Sequence, residues 1–226
     1  MQRKRKKHCI VLLSGGLDSA TVLNIALKEY QVTALVFDYG QRHKFEISAA
    51  EKIADKYDIS LRLIKIDLGQ FGNSALTDDI EVPKNQEIGK EIPITYVPVR
   101  NTIFLSYALA YAEVNNIFDI FIGVNALDYS GYPDCRPEFI EAFEKMANEG
   151  TKFAQGNEKI KIHTPLIDLT KAEIISIGTE LNVDYKLTHS CYDPSTDGLS
   201  CGECDACTLR KEGFIAAGIS DPTNYI

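Results

Sequence analysis

Apolar, β-branched-rich runs recur at positions 8–13, 32–37, 61–66 and 119–124, and between them apolar residues fall at helical intervals. Strands that are hydrophobic throughout are buried on both faces, and in an alternating pattern this means parallel strands covered by helices. A first helix starts near Leu17 and would bury Leu17, Leu23 and Leu27. A second carries Phe45, Ala49, Ile53 and Tyr57 at intervals of four, and a third, from Asn101, carries Phe104, Ala108 and Tyr111. Pro137 suits the first turn of a fourth helix that runs past Met146 to an end near Gly150. A short strand at 160–163 exits through Thr164-Pro165, and Thr170-Lys171-Ala172-Glu173 reads as a capping box opening a fifth helix. The pattern predicts an α/β fold, a doubly wound and mainly parallel sheet of about five strands. Between Gly69 and Pro98 no period is sustained, and Pro83, Gly89 and Pro93 interrupt the chain, so this stretch is a candidate lid. Open sheets bind ligands beyond the carboxyl ends of their strands, so the turns after Leu13, Phe37, Ile66 and Val124 should converge on one pocket.

The turn after the first strand carries the sharpest chemistry. Ser14-Gly15-Gly16-Leu17-Asp18-Ser19 places a glycine pair and two hydroxyls where a buried strand becomes a helix. Glycines there take backbone conformations closed to other residues and let a phosphate reach bare N–H groups. The helix start adds unpaired donors and the positive end of its dipole. The Lys-Ser/Thr ending of a Walker A loop is missing, and so is the third glycine of a dinucleotide fingerprint. Ser-Gly-Gly-x-Asp-Ser resembles instead the pyrophosphate loop of the ATP pyrophosphatases, which cleave ATP between its α and β phosphates and transfer AMP to a substrate oxygen. Asp18 reads either as a helix-start residue or as a group that helps hold Mg²⁺ on the phosphates.

Composition narrows the class. The chain has 226 residues, 45% hydrophobic and 25% charged, which fits a globular protein with one large domain and an appendage. A net charge of −8 argues against a broad nucleic-acid surface. The basic start Arg3-Lys4-Arg5-Lys6-Lys7 reads as a solvated terminus, because the apolar run behind it is too short for a signal peptide or a membrane span. The expected location is cytoplasmic, and in that reducing setting the six cysteines are not read as disulfides. Cys191, Cys201, Cys204 and Cys207 have a spacing that lets four thiolates close around one ion. Zinc in a closed, structural site fits best, with an iron–sulfur cluster as the other option. Cys9 reads as a small buried apolar residue on the first strand, whereas Cys135 sits among polar residues with no neighbouring base to activate it.

The loop, the four cysteines and the segment 128–139 together resemble the preQ0 synthases, the 7-cyano-7-deazaguanine synthase family of queuosine biosynthesis. Further matching stretches are 38–43, Val97-Pro98 with Arg100-Asn101, Thr164-Pro165-Leu166 with Lys171, Ser190-Cys191-Tyr192 and the ending 210–225. One departure is Val99, where the family usually has glycine; it bears on the local backbone more than on the chemistry. The resemblance implies ATP-dependent conversion of 7-carboxy-7-deazaguanine and ammonia to the nitrile, releasing AMP and pyrophosphate. It implies that Leu13, Ser14, Gly15, Gly16, Leu17, Asp18, Ser19, Ala20 and Thr21 hold ATP, with Asp38 bordering the adenosine. Asp18, Ser19, Arg100 and Lys171 would serve the transfer, with Mg²⁺ on the phosphates. Asp128 or Asp134 would read the guanine-like edge, with Tyr132 and with Arg136 available to the substrate carboxylate. Residues 1–185 are expected to form the ATP-binding α/β domain and residues 186–226 a small zinc-binding helical appendage. A homodimer is expected, without nucleic-acid or membrane partners. Bland readings stay beside these: Arg100 as a structural ion-pair partner, Lys171 as a surface lysine, and His43 and His163 as core histidines. Rival functions are a tRNA-modifying or sulfur-transfer enzyme of the same loop family, which would need a basic face, and a zinc-stabilised nucleotide-binding adaptor.

Overall fold

The computed structural model describes residues 6–86, 89, 91–127 and 132–226. Strands β1 (Lys7–Leu12), β2 (Tyr30–Asp38), β3 (Ser60–Lys65), β4 (Asp119–Phe121) and β5 (Lys161–His163) form one sheet in the order β3-β2-β1-β4-β5. Every pairing is parallel. Helices α1 (Leu17–Leu27), α2 (Phe45–Lys56), α3 (Arg100–Asn115), α4 (Pro137–Gly150), α5 (Lys171–Glu180) and α6 (Asp205–Ala217) complete the fold. The sheet is double-faced because β1 is apolar at every inner position. Ile10 and Leu12 pack with α3 and α4 through Leu105, Ala108, Ile140 and Phe143. Cys9, Val11 and Leu13 pack the other way, against Leu23, Ile53 and Ile174 of α1, α2 and α5. Strand order reverses between β1 and β4, the switch point where such sheets open a crevice.

The strands and first five helices expected from periodicity are all present, with ends shifted by a few residues. Strand β4 pairs over three residues only, and Ile122, Gly123 and Val124 beyond it line the crevice. Helix α6 had no bounds in the periodicity; its N-cap is Cys204, so it starts inside the cysteine cluster. Its Phe214 is buried in the same core as α1 and α5, and α6 lies so close to α5 that a Cβ on Gly213 would stand 2.3 Å from Lys171 Cγ.

The stretch expected to be a lid is tied down over 74–86. Lys84 bridges Cys204 in antiparallel fashion, the Asn85 N–H donates to the Glu203 carbonyl at 2.9 Å, and Lys84 pairs with Asp193 at 2.7 Å. Ala75 and Val82 are buried against the four cysteines. This stretch is a strap over the cluster. It leads to Val99, which caps α3 in the left-handed region (φ 52°, ψ 23°), where a β-branched residue is an outlier. No helix among the described residues is long and apolar enough to cross a membrane.

Candidate active site

The carboxyl ends of β1, β2 and β4 and the first turns of α1, α2, α3 and α5 enclose a cavity of about 210 Å³. At its floor lies the Ser14–Ser19 turn. Gly15 has φ +88°, and a Cβ there would fall 2.2 Å from the Glu46 carbonyl oxygen, so both its conformation and its contact require glycine. Ser19 Oγ accepts from the Ser14 N–H at 3.2 Å and lies 3.1 Å from Ser14 Oγ, closing the turn on itself. Two segments press on this turn from outside. The His189 N–H donates to the Gly15 carbonyl at 2.9 Å, and the Leu17 N–H donates to Ser190 Oγ at 3.5 Å. Gly123, after β4, comes so near that a Cβ would meet Ser19 N at 3.2 Å.

Charged groups reach the cavity from helix starts, as the position of the sheet ends dictates. Asp18 pairs with Lys171 Nζ at 2.7 and 2.9 Å, and Lys171 is placed by a complete capping box at Thr170 and Glu173. Arg100 opens α3; burial works against its charge, but Tyr39, Tyr132, Asp134 and Tyr192 around it outweigh that and hold it protonated. Glu46, in the first turn of α2, has its carboxyl pushed up to about 7 by burial, with Arg100 opposing. An apolar wall carries Phe37 and Phe104, stacked at 4.0 Å between centroids. Cys135 also lines the cavity, but burial pushes its thiol up to about 12, and Asn101 Nδ2 donates to its sulfur at 3.4 Å. That thiol is a poor nucleophile.

Of the residues expected at an ATP site, Leu13, Ser14, Gly16, Leu17, Asp18 and Ser19 line the cavity. Gly15, Ala20 and Thr21 lie behind it, where the Thr21 hydroxyl bonds the Leu17 carbonyl at 3.0 Å and Tyr185 Oη at 2.9 Å. Asp38 stands outside the lining and pairs with Lys44 at 3.0 Å. Arg100, Lys171 and Tyr132 line the cavity, and the Tyr132 hydroxyl bonds Thr95 at 3.0 Å. Asp134 is turned to α3 instead: it is buried and accepts from the Asn101 N–H at 2.9 Å. Arg136 is exposed at the start of α4, and Asp128 lies outside the described residues. Sequence reasoning passed over Glu46, Tyr39, Phe104 and His189 as site residues. For Glu46 the available signal was positional: it stands in the first turn of the helix that follows β2.

Cys191, Cys201, Cys204 and Cys207 are all buried, with their sulfurs within 4.8 Å of one another. A tetrahedral zinc site needs about 3.8 Å between thiolates, given Zn–S bonds of about 2.3 Å. Backbone N–H groups already point at the sulfurs, from Cys201 to Cys191 at 3.2 Å and from Cys204 to Cys201 at 3.4 Å. Hydrogen bonds from Cys191 and Cys207 favour the Cys204 thiolate, and their thiols are pushed up in turn. A bound cation removes that conflict, because it stabilises every thiolate at once. The donor set fits a metal, and Cys191 is joined by one peptide bond to Ser190, which with His189 contacts the Ser14–Ser19 turn.

A family model described as "Queuosine biosynthesis protein QueC" matches residues 8–218. A 7-cyano-7-deazaguanine synthase from Desulfatibacillum aliphaticivorans is 60% identical over 232 residues, covering 100% of both chains. One from Syntrophus aciditrophicus (strain SB) is 61% identical over 223 residues, covering 96% of each. Among solved structures, the NMN synthetase from Francisella tularensis shares the fold, with a TM-score of 0.51 at 21% identity over 95% of this chain and 79% of that one. Matched by the family model over residues 8–218 and by a full-length relative at 60% identity, the chain belongs to the QueC family of 7-cyano-7-deazaguanine synthases.

Proposed function

We propose that the cavity between β1, β2 and β4 is where this enzyme turns 7-carboxy-7-deazaguanine into its nitrile at the expense of ATP. The observation that carries the reading is the convergence on one cavity of the closed Ser14–Ser19 turn, the Asp18–Lys171 pair and the Arg100 guanidinium. The triphosphate takes the N–H groups of the turn and of the start of α1. Phe37 and Phe104 offer a flat apolar wall to the adenine. Mg²⁺, when bound with ATP, supplies charge neutralisation on the phosphates, and Asp18 is the residue to hold it. Lys171 and Arg100 stabilise the charge that develops as the α-phosphate passes to a substrate oxygen. Tyr132 borders the deazaguanine, while the acid that reads its edge is sought in the segment around Asp128, since Asp134 is committed to α3. Zinc on the four cysteines has a structural role. The division into 1–185 and 186–226, a homodimeric assembly, a cytoplasmic setting and the absence of nucleic-acid partners belong to the same reading.

A carboxylate must lose both oxygens to become a nitrile, and hydroxide is too poor a leaving group for either step. AMP on the first oxygen gives an acyl adenylate that ammonia converts to the primary amide. AMP on the amide oxygen then gives an imidate that collapses to the nitrile. The oxygen occupies nearly the same place beside the α-phosphate each time, so one cavity suffices. Incubation with ATP, ammonia and the acid, followed by mass spectrometry, should give two AMP and two pyrophosphate per nitrile, and one of each from the amide without ammonia. Formation of ADP, or inability to use the amide, would overturn the mechanism.

A further inference from the structure

The cavity has a carboxylate for which the nucleotide has no use. Among its described lining residues the acids are Asp18 and Glu46, and Asp18 is closed against Lys171 at 2.7 Å. Glu46 forms no ion pair among the described residues, although it and Arg100 line the same cavity and feel one another's charge. Its backbone is locked to the phosphate turn, because Gly15 packs directly on the Glu46 carbonyl. A side chain one residue into α2 therefore stands beside the place where the acyl adenylate would form. A carboxylate there repels a phosphate, so its complement is a cation or an N–H donor. The reaction brings one such group to the acyl carbon: ammonia, which in neutral water is mostly ammonium and not a nucleophile until it loses a proton.

We propose that Glu46 is the ammonium site of this enzyme, binding the cation and accepting its proton as the nitrogen attacks. The proposal rests on the acyl-adenylate reading above. Ammonium gives one proton to the Glu46 carboxylate, and the freed lone pair forms the C–N bond to the acyl carbon. The carbon–oxygen bond to AMP breaks with its electron pair left on the phosphate, and the surplus N–H proton follows onto that phosphate. The products are the primary amide and AMP, and Glu46 returns its proton to water. Tyr39, Arg42, His43 and Tyr192 line a small pocket together with Glu46, and Arg100 lines the main cavity with it. Burial raises the Glu46 carboxyl to about 7, where a carboxylate both exists at neutral pH and is basic enough to share a proton.

The test compares the wild-type enzyme with Glu46→Gln and Glu46→Asp, with ATP and Mg²⁺ saturating at about pH 7. In Glu46→Gln the KM for ammonium should rise at least about tenfold, the loss expected for a charge-assisted hydrogen bond, while the KM for the acid and for the amide stay within about twofold. The deficit should shrink as pH is raised towards about 9, where free ammonia grows without a base, and Glu46→Asp should recover part of the affinity. An unchanged KM for ammonium overturns the proposal. So does a joint rise in KM for acid and amide, which would make Glu46 a reader of the deazaguanine edge. Nitrile formation by the wild type is the control: without it the acyl-adenylate reading itself fails, and with it an unchanged ammonium KM condemns only the role of Glu46.

Discussion

Replacing Val99 by glycine should stabilise the protein, against the usual cost of putting glycine into a structure. Val99 is held at φ 52° and ψ 23° by bonds on both sides: its N–H donates to Tyr96 Oη at 3.0 Å, and its carbonyl accepts the Ile103 N–H at 3.1 Å. The left-handed region costs an L-residue about 1–2 kcal/mol, and a β-branched one more, up to about 3 kcal/mol. The side chain is 53% exposed, so the burial forfeited is about half of a buried valine, roughly 1 kcal/mol. Glycine also gains about 0.5–1 kcal/mol of entropy in the unfolded chain. The balance favours Val99→Gly by about 0.5–1 kcal/mol, or a rise of roughly 2–3 °C in Tm for a chain of this size. Val99→Ala is the discriminating control. It loses the same side chain and keeps the left-handed penalty, so glycine should exceed alanine here by about 0.5–1 kcal/mol, the reverse of their order at an ordinary position. Urea unfolding at equal m-values measures both differences. Alanine equal to or better than glycine would refute the strain argument. Turnover should change little, because the Arg100 N–H is fixed separately to the Val97 carbonyl at 3.2 Å.

Cys204→Ser should lower metal content and thermal stability together, and should also weaken ATP binding, because His189 and Ser190 carry the cluster's position to the phosphate turn; full stability without metal in this variant would sink the structural role. Gly213→Ala should cost about 1–3 kcal/mol in unfolding free energy, since its Cβ would stand 2.3 Å from Lys171 Cγ, and should lower kcat/KM as well by shifting the Lys171–Asp18 pair; a loss of stability alone would separate the two. Glu46→Gln should gain about 1–2 kcal/mol of stability near pH 8 and nothing near pH 4. Burial raises the native carboxyl above its unfolded value, so the wild type loses stability as pH climbs to about 7 and the amide does not; equal gains at both pH values would contradict the sign.

The sheet and its loop were legible because each is a local pattern. A strand buried on both faces is apolar at every position, and a glycine pair before Leu17 has few other uses. The rest depends on pairings between distant parts of the chain. Nothing near Asp134 announces that its carboxylate caps α3, since that bond spans 33 residues to Asn101. Lys44 settles Asp38 by a contact that helical periodicity ignores. The strap over the cysteines has no period because it borrows its hydrogen bonds from Glu203 and Cys204. Glu46 was hidden for the opposite reason: it sits in an ordinary amphipathic helix and gains meaning only from the turn it abuts. The sites share one rule, however. Asp18, Glu46, Arg100 and Lys171 each stand in the first turn of a helix on the crevice side of the sheet. Such a turn offers unpaired N–H groups to anions, and any cation placed there works with the dipole's field on the substrate rather than on its own helix. An acid at that position is taken up by the phosphate machinery, as Asp18 is with Lys171 and would be with Mg²⁺, or left for another ligand, as Glu46 is. That difference is why the acid left open, and not the acid in the motif, is the one assigned to the nucleophile.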